Sequence, residues 1–91
     1  MSVKVQVPAA LRPYCAGASE ILLPASSVSA ALEMIEERHP SLYRCICDET
    51  DAVRPHVGLF VNRSHIRDRE GLATALLPGD VVIILTAVSG G

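Results

Sequence analysis

The first part of the sequence has the alternation of a β-hairpin. Within residues 3–7, valine alternates with polar side chains, which is the two-residue period of a half-buried strand, and Pro8 ends it. Residues 10–17 read as a loop closed by a glycine, and residues 20–24 form a second short strand. We therefore expect two paired strands joined by a long connection.

The next segment predicts a helix. Ser26 or Ser27 can serve as the N-cap, and the pattern runs to about Arg38, where His39-Pro40 ends it. Apolar residues recur with helical spacing and define the face that packs on the core, with glutamates on the opposite face. The apolar positions are Val28, Ala31, Leu32 and Ile35.

Residues 41–56 have the weakest pattern. Residues 42–47 are expected to form a short helix or turn, and residues 48–51 an exposed loop. Residues 57–62 are a third strand, which Asn62 turns because asparagine tolerates positive φ. Ile66 is expected to pair briefly as a further strand.

The last part of the chain predicts a buried strand. Leu72, Leu76 and Leu77 suggest one amphipathic turn, and Pro78-Gly79 has the chemistry of a type II turn. Residues 81–85 then form an uninterrupted apolar run. A strand that is apolar on both faces belongs in the interior of a sheet, so we expect it to be covered on both faces.

Two glycines, Gly90 and Gly91, follow within a few residues of this strand. Glycine lacks a Cβ, so such an end can pass through a narrow channel while another backbone approaches closely. In an extended conformation, residues 87–91 span roughly 17 Å. We expect a carboxylate delivered into another protein's active site, although a truncated chain would end in the same way.

Composition narrows the functional classes. The chain has 91 residues, 49% of them hydrophobic, and a formal net charge of −2. That charge and the scarcity of aromatic residues argue against nucleic-acid binding. The longest apolar run is too short to span a bilayer, and Met1 to Lys4 do not open a signal peptide. We expect a cytoplasmic protein, monomeric when free, that does not bind membranes.

The cysteines and histidines predict no catalytic or metal site. Cys15, Cys45 and Cys47 are odd in number, and the last two lack the Cys-x-x-Cys spacing of redox and zinc sites. We expect buried or half-buried small hydrophobic residues. His39, His56 and His65 lack a nucleophile partner in sequence, and we expect ordinary surface or loop positions.

A local basic cluster has two interpretations. Arg63, Arg67 and Arg69 lie close together in the sequence with His65. They form either a solvated face balanced by Asp68 and Glu70 or a surface that steers an acidic partner.

The element order and the tail together resemble a known family. Residues 77–85 followed by 87–91, together with Val61-Asn62, are similar to the end of the MoaD/ThiS sulfur carriers. The resemblance implies an α+β fold of the β-grasp (ubiquitin-like) type, with a mixed sheet of four or five strands and one main helix on one face. It also implies a β-grasp domain over 1–86 and a C-terminal tail over 87–91. Thr86 departs from the family, which usually has proline there.

This resemblance implies a carrier that has no catalytic residues of its own. An E1-like adenylating and sulfurtransferase enzyme (MoeB/ThiF-like) would use ATP to activate Gly91, and sulfur would then convert it to a thiocarboxylate. The residues that thread the partner's active site would be Gly90, Ser89, Val88 and Ala87, and the docking patch would be apolar residues beside Val88. The chain itself binds no cofactor or metal.

Three recipients of the carrier stay open. Leu11-Arg12-Pro13 and residues 71–75 look most like the actinobacterial CysO type, which supplies sulfur to a pyridoxal phosphate-dependent cysteine synthase. The alternatives are the small subunit of molybdopterin synthase and a sulfur donor to a thiosugar or other secondary-metabolite enzyme. A hypothesis of another class is a ubiquitin-like protein modifier.

Overall fold

The structure, a computed structural model, describes residues 2–86. These residues form five β-strands, two α-helices and three short 3-10 helices. The strands and α-helices, in chain order, are β1 Val3–Gln6, β2 Glu20–Leu23, α1 Val28–Arg38, α2 Pro40–Ile46, β3 Val57–Val61, β4 Ser64–His65 and β5 Val81–Thr86. The 3-10 helices are Ala9–Cys15, Ile66–Asp68 and Gly71–Ala73.

The strands form one mixed sheet with the order β2-β1-β5-β3-β4. β1 pairs antiparallel with β2 and parallel with β5, and β5 pairs antiparallel with β3. The final strand therefore lies at the centre of the sheet, as its apolar sequence predicts. This arrangement, with the main helix packed on one face, confirms the expected α+β, β-grasp fold.

The helix α1 begins and packs as the sequence predicts. Ser27 is the N-cap, and its hydroxyl oxygen accepts a hydrogen bond from the Ala30 N–H at 3.0 Å. The predicted apolar face is buried at all four positions: Val28, Ala31, Leu32 and Ile35. The helix ends at Arg38, and Pro40 starts α2 because proline suits a first helical position.

Two segments differ from the sequence prediction. Residues 10–17 are not a plain loop, because Ala9–Cys15 is a 3-10 helix that buries Leu11 and Cys15. Ile66 does not pair as a strand. It begins a 3-10 helix, while Ser64 pairs with Val61 in the short β4. In both cases, a few tertiary contacts decide between conformations that short sequences do not distinguish.

The two faces of β5 have different environments, and this corrects a further prediction. Val82 and Ile84 are buried against the helices. Ile83 is only half-buried, and Leu85 remains 49% exposed, on the opposite face. The expectation that both faces are covered is therefore wrong within residues 2–86, although the strand is central. The outward-facing apolar side chains of β5 therefore do not belong to the buried core.

We predict unequal effects when the two faces of β5 are truncated. Ile84→Ala should lower the free energy of unfolding by about 2–5 kcal/mol, because it leaves a cavity in the core. Leu85→Ala, the neighbouring control, should cost about 1 kcal/mol. Urea unfolding followed by circular dichroism measures both. Equal losses would show that the outward face is as tightly packed as the core face.

Candidate functional site

The predicted site residues of the tail, Ala87, Val88, Ser89, Gly90 and Gly91, lie outside the described residues. The structure does describe the base from which they continue, which is Thr86 at the end of β5. Thr86 is half-buried and is the register partner of Val57 on β3. The described part of the site therefore consists of this base and the surfaces around it.

The start of β5 is held by a turn and a side-chain pair. The Asp80 N–H donates to the Leu77 carbonyl at 3.0 Å, and Gly79 has φ +87°, as a type II turn requires. The carboxylate of Asp80 accepts hydrogen bonds from the Leu77 N–H at 2.9 Å and from the Asn62 side-chain amide at 3.2 Å. This carboxylate fixes the turn against the end of β3.

Asn62 completes the connection between β3 and β5. Its φ of 57° confirms the predicted positive-φ turn. Its side-chain oxygen accepts from the Val81 N–H at 3.1 Å, and its own N–H donates to the Val81 carbonyl at 2.8 Å. The Asp80 carbonyl in turn accepts from the Lys4 N–H at 3.0 Å. The central strand thus starts from a point tied to both of its neighbours.

Hydrogen bonds lower the pKa of the Asp80 carboxyl. The Leu77 N–H and then the Asn62 amide hold the pKa of the Asp80 carboxyl below its ordinary value. Arg69 is close enough to lower this pKa further. The ionised form is therefore the form that stabilises the start of β5.

The face of the sheet opposite the helices is open to solvent. Register places Lys4 beside Leu22 and Val81 in one row, and Gln6 beside Glu20 and Ile83 in the next. A salt bridge of 3.4 Å joins Lys4 Nζ to Glu20 Oε2 at the β1 and β2 side. Toward this edge the open face therefore carries a charged pair beside Leu22, which is exposed.

The other side of the open face is apolar and lies nearest to Thr86. Phe60, Ile83 and Leu85, here called the apolar patch, point outward from β3 and β5. Gly58 lies opposite Leu85, and the Phe60 and His65 rings lie close over it, since a Cβ there would sit 3.4 Å from the Phe60 ring and 3.6 Å from the His65 ring. The predicted docking patch beside Val88 stays a prediction, because Val88 lies outside the described residues.

The cysteines lie where small hydrophobic residues are expected. Cys15 and Cys47 are buried, and Cys45 is half-buried. Burial raises the pKa of the Cys45 and Cys47 thiols, so both favour the protonated form. Beside Cys47, the Tyr43 hydroxyl donates to Asp51 Oδ1 at 2.8 Å, and burial raises its pKa as well. This cluster has the character of a structural network rather than of an activated nucleophile.

The three histidines have separate surroundings. His39 joins the two helices, and His56 is exposed before β3. His65 stacks edge-on against Phe60 with ring centroids 4.9 Å apart, and its Nδ1 accepts from the Arg67 N–H at 3.1 Å. His65 therefore borders the apolar patch, a position that its sequence context did not reveal.

The basic cluster is exposed, and both of its interpretations stay predictions. Arg63, Arg67 and Arg69 are all exposed. Within residues 2–86 the only salt bridge is Lys4–Glu20, so none joins these arginines to Asp68 or Glu70. Arg69 interacts electrostatically with Asp80 and lowers the pKa of the Asp80 carboxyl.

No metal or membrane element is found in the part of the chain that the structure describes. Histidine, cysteine, aspartate and glutamate side chains do not gather there in a group of three or more suited to a metal ion. None of the helices between residues 2 and 86 has the length and apolarity needed to cross a bilayer.

We predict that Asp80→Asn destabilises the protein in a pH-dependent way. Ionised Asp80 contributes fully above its unfolded-state pKa of about 3.9. Its folded-state pKa is lower, so this contribution is lost as the pH falls through the folded value. The stability gap between wild type and variant should therefore be larger near neutral pH than at about pH 3.

Urea unfolding at both pH values measures this gap. Asp68→Asn is the control, because the Asp68 carboxylate accepts no side-chain hydrogen bond within residues 2–86. A gap that does not change with pH would contradict the assigned role of the Asp80 charge.

With the geometry established, comparison with known proteins identifies relatives over the whole chain. The sequence is 32% identical over 93 aligned residues to the sulfur carrier protein CysO of Mycobacterium tuberculosis, with 100% of both chains covered. The crystal structure of M. tuberculosis CysO superposes with a TM-score of 0.85 at 30% identity, covering 94% of this chain and 99% of that one.

Two further solved structures are similar in fold and sequence. One is from the Amycolatopsis orientalis BexX/CysO complex, with a TM-score of 0.88, 27% identity, and coverage of 98% of this chain and 99% of the other. The second is small archaeal modifier protein 1 from Methanosarcina acetivorans, with a TM-score of 0.86 and 32% identity. That match covers 99% of this chain and 96% of the archaeal protein.

The family profile gives the same result. The profile of the ThiS family matches residues 5–91, which includes β5 and the two terminal glycines. Together with the full-length identity to CysO, this match shows that the chain belongs to the ThiS family.

Proposed function

We propose that this chain is a sulfur carrier that receives and donates sulfur at the carboxylate of Gly91. The observation that carries the proposal is the full-length match to CysO, within a family profile that extends to Gly91. The fold supports it, because the tail continues from the central strand of the sheet, which pairs with β1 over residues 81–83 and with β3 over residues 82–86. The carrier would then need no catalytic group of its own.

The chemistry follows from the poor reactivity of a carboxylate. An E1-like enzyme would use ATP to join the Gly91 carboxylate to AMP, releasing pyrophosphate. A sulfur nucleophile would displace AMP and leave a thiocarboxylate. This group is ionised near neutral pH and is a good nucleophile because sulfur is soft. ATP and, in a cysteine synthase, pyridoxal phosphate would belong to the partner enzymes.

The proposed recipient is a cysteine synthase of the CysO pathway. Identity to M. tuberculosis CysO over both entire chains favours this recipient over the small-subunit role in molybdopterin synthase. The A. orientalis relative was solved in a complex of CysO with BexX, which supports the binding of a partner protein by such carriers.

Residues 2–86 contribute the contact surface in this proposal. The apolar patch of Phe60, Ile83 and Leu85 lies on the open face at the end of the sheet where Thr86 leads into the tail. An apolar surface bordered by polar residues suits a transient partner, since interfaces need a desolvated centre. We propose that the activating enzyme covers this patch while the tail occupies its active site.

Intact mass spectrometry tests the sulfur transfer. Incubation with the E1-like enzyme of the same organism, ATP and sulfide should add the mass difference between sulfur and oxygen. A variant that lacks Gly91 should show no gain. An unchanged wild-type mass, or a gain that persists in the variant, would overturn the proposal. Release of cysteine from O-phosphoserine by the synthase then tests the recipient.

The docking role of the apolar patch has its own test. Leu85→Asp should raise the KM for the carrier in ATP–pyrophosphate exchange by about tenfold, because a charge replaces a side chain that must be desolvated; this corresponds to about 1.4 kcal/mol. Leu22→Asp is the matched control, since Leu22 is 62% exposed on the same face but near the opposite edge. Urea unfolding checks that both variants are folded. Equal KM values for the two variants would count against the patch.

A second candidate function is protein modification. It is favoured by the 32% identity and TM-score of 0.86 to small archaeal modifier protein 1. In this case the activated Gly91 would form amide bonds with lysine side chains of other proteins. Stable conjugates without any thiocarboxylate in the mass experiment would select this function over sulfur transfer.

A further inference from the structure

A cleft of about 380 Å³ opens beside Thr86, at the base of the tail. It is distinct from the apolar patch and is bounded by the 3-10 helix Ala9–Cys15, the end of α2 and the segment before β3. We call it the tail-base cleft. Its polar and aromatic lining comprises Tyr14, Arg44, Cys45, Arg54, His56 and Thr86.

The charged side chains that line this cleft are basic, and the acid that Arg54 influences, Asp48, lines the neighbouring cleft instead. Arg44, Arg54 and His56 face the cleft, and no aspartate or glutamate of residues 2–86 lines it. Neither arginine forms a salt bridge within the described chain, where Lys4–Glu20 is the one such pair. The whole protein carries a net charge of −2, so the charge of this surface is opposite in sign to that of the protein.

A second cleft on the other side of the same two arginines has the opposite character. It has a volume of about 510 Å³ and is lined by acidic residues that include Glu36, Asp48 and Asp51. Arg44 and Arg54 therefore form the boundary between an acidic cleft and the tail-base cleft. The charges are separated so that the basic side lies next to Thr86.

Arg54 is held in place before any partner arrives. Its Nε donates to the Arg44 carbonyl at 2.8 Å, and its backbone N–H donates to the Ile46 carbonyl at 2.9 Å. These bonds fix the guanidinium at the end of α2. A side chain that is already ordered loses less entropy when it pairs with a carboxylate.

We propose that the tail-base cleft binds carboxylate side chains on the activating enzyme, at the rim of the channel that receives the tail. This inference rests on the proposed function. Any enzyme that draws in residues 87–91 must bring that rim against the surface around Thr86. Arginine pairs with carboxylates through two parallel hydrogen bonds, and the ring of Tyr14, 48% exposed, adds an aromatic contact of the kind enriched in interfaces.

The proposal gives the two surfaces around the tail different roles. The apolar patch would supply the desolvated centre of the contact. The tail-base cleft would set the orientation of the carrier and speed its encounter with an acidic rim, because charge complementarity acts mainly on register and association rate. Salt should weaken the second contribution and leave the first largely intact.

The test is ATP–pyrophosphate exchange by the E1-like enzyme with full-length carrier variants. Arg44→Glu should raise the KM for the carrier at least about tenfold at low salt, with kcat unchanged, and the difference should shrink at high salt. Arg63→Glu is the control, with the same change of charge. Arg63 follows β3 at the end of the sheet opposite Thr86, since Val61 pairs with Val82 and Val57 with Thr86.

A second variant tests the charge of Arg54 without changing the stability of the fold. Arg54→Gln keeps a donor for the Arg44 carbonyl but removes the charge, and it should raise the KM while the urea unfolding midpoint stays close to that of wild type. If Arg44→Glu and Arg54→Gln match wild type or Arg63→Glu, the cleft does not bind the enzyme, and the proposed function stands. If wild type itself supports no exchange, the proposed function fails and this inference fails with it.

Discussion

The structure depends on the pairing of β5 along both of its edges. β1 lies parallel on one side and β3 antiparallel on the other, so the last strand of the chain joins the two halves of the sheet. β1 pairs with residues 81–83 and β3 with residues 82–86, so the strand is paired on both edges in its first half and along β3 at its end. Its core-facing side chains, Val82 and Ile84, are buried. Residues 87–91 therefore continue from an element whose displacement requires opening of the sheet.

This arrangement divides the work between the carrier and its partners. The protein supplies a fixed base, with Asp80 and Asn62 holding one end of β5 and Thr86 pairing at the other. In the proposed function, other enzymes would carry out the chemistry at Gly91. The surfaces near Thr86 are of two kinds, one apolar and one basic, which suits a carrier that must be recognised before its tail is used.

The sequence was sufficient for the main features of the fold because those features have strong local patterns. The N-cap at Ser27, the apolar face of α1, the positive φ at Asn62 and the turn at Gly79 all follow from residue chemistry. The central position of β5 follows from its uninterrupted apolar run. The error about its second face has a physical cause, since an outward apolar face reads the same in sequence as a buried one.

Other features depend on contacts between distant segments. The 3-10 helix Ala9–Cys15 contains a proline and has no helical periodicity. The stacking of His65 on Phe60 requires the β3–β4 register, and the tail-base cleft combines Tyr14 with residues between Arg44 and Thr86, which lie far along the chain. The Asn62–Asp80 bond joins two turns whose sequences predict turns separately, but not their partnership. The tail residues themselves stay a prediction, because they lie outside the described residues.

Amide hydrogen exchange measured by NMR tests the central claim about β5 most directly. We predict that the backbone amides of Val82, Ile83 and Ile84 exchange only through global unfolding, with the same free energy as urea unfolding gives. If an activating enzyme binds as proposed, this protection should persist in the complex, because the proposed contact engages the tail and leaves β5 in the sheet. Exchange of these amides through a local opening well below the global free energy would contradict the claim that β5 is the fixed base of the tail.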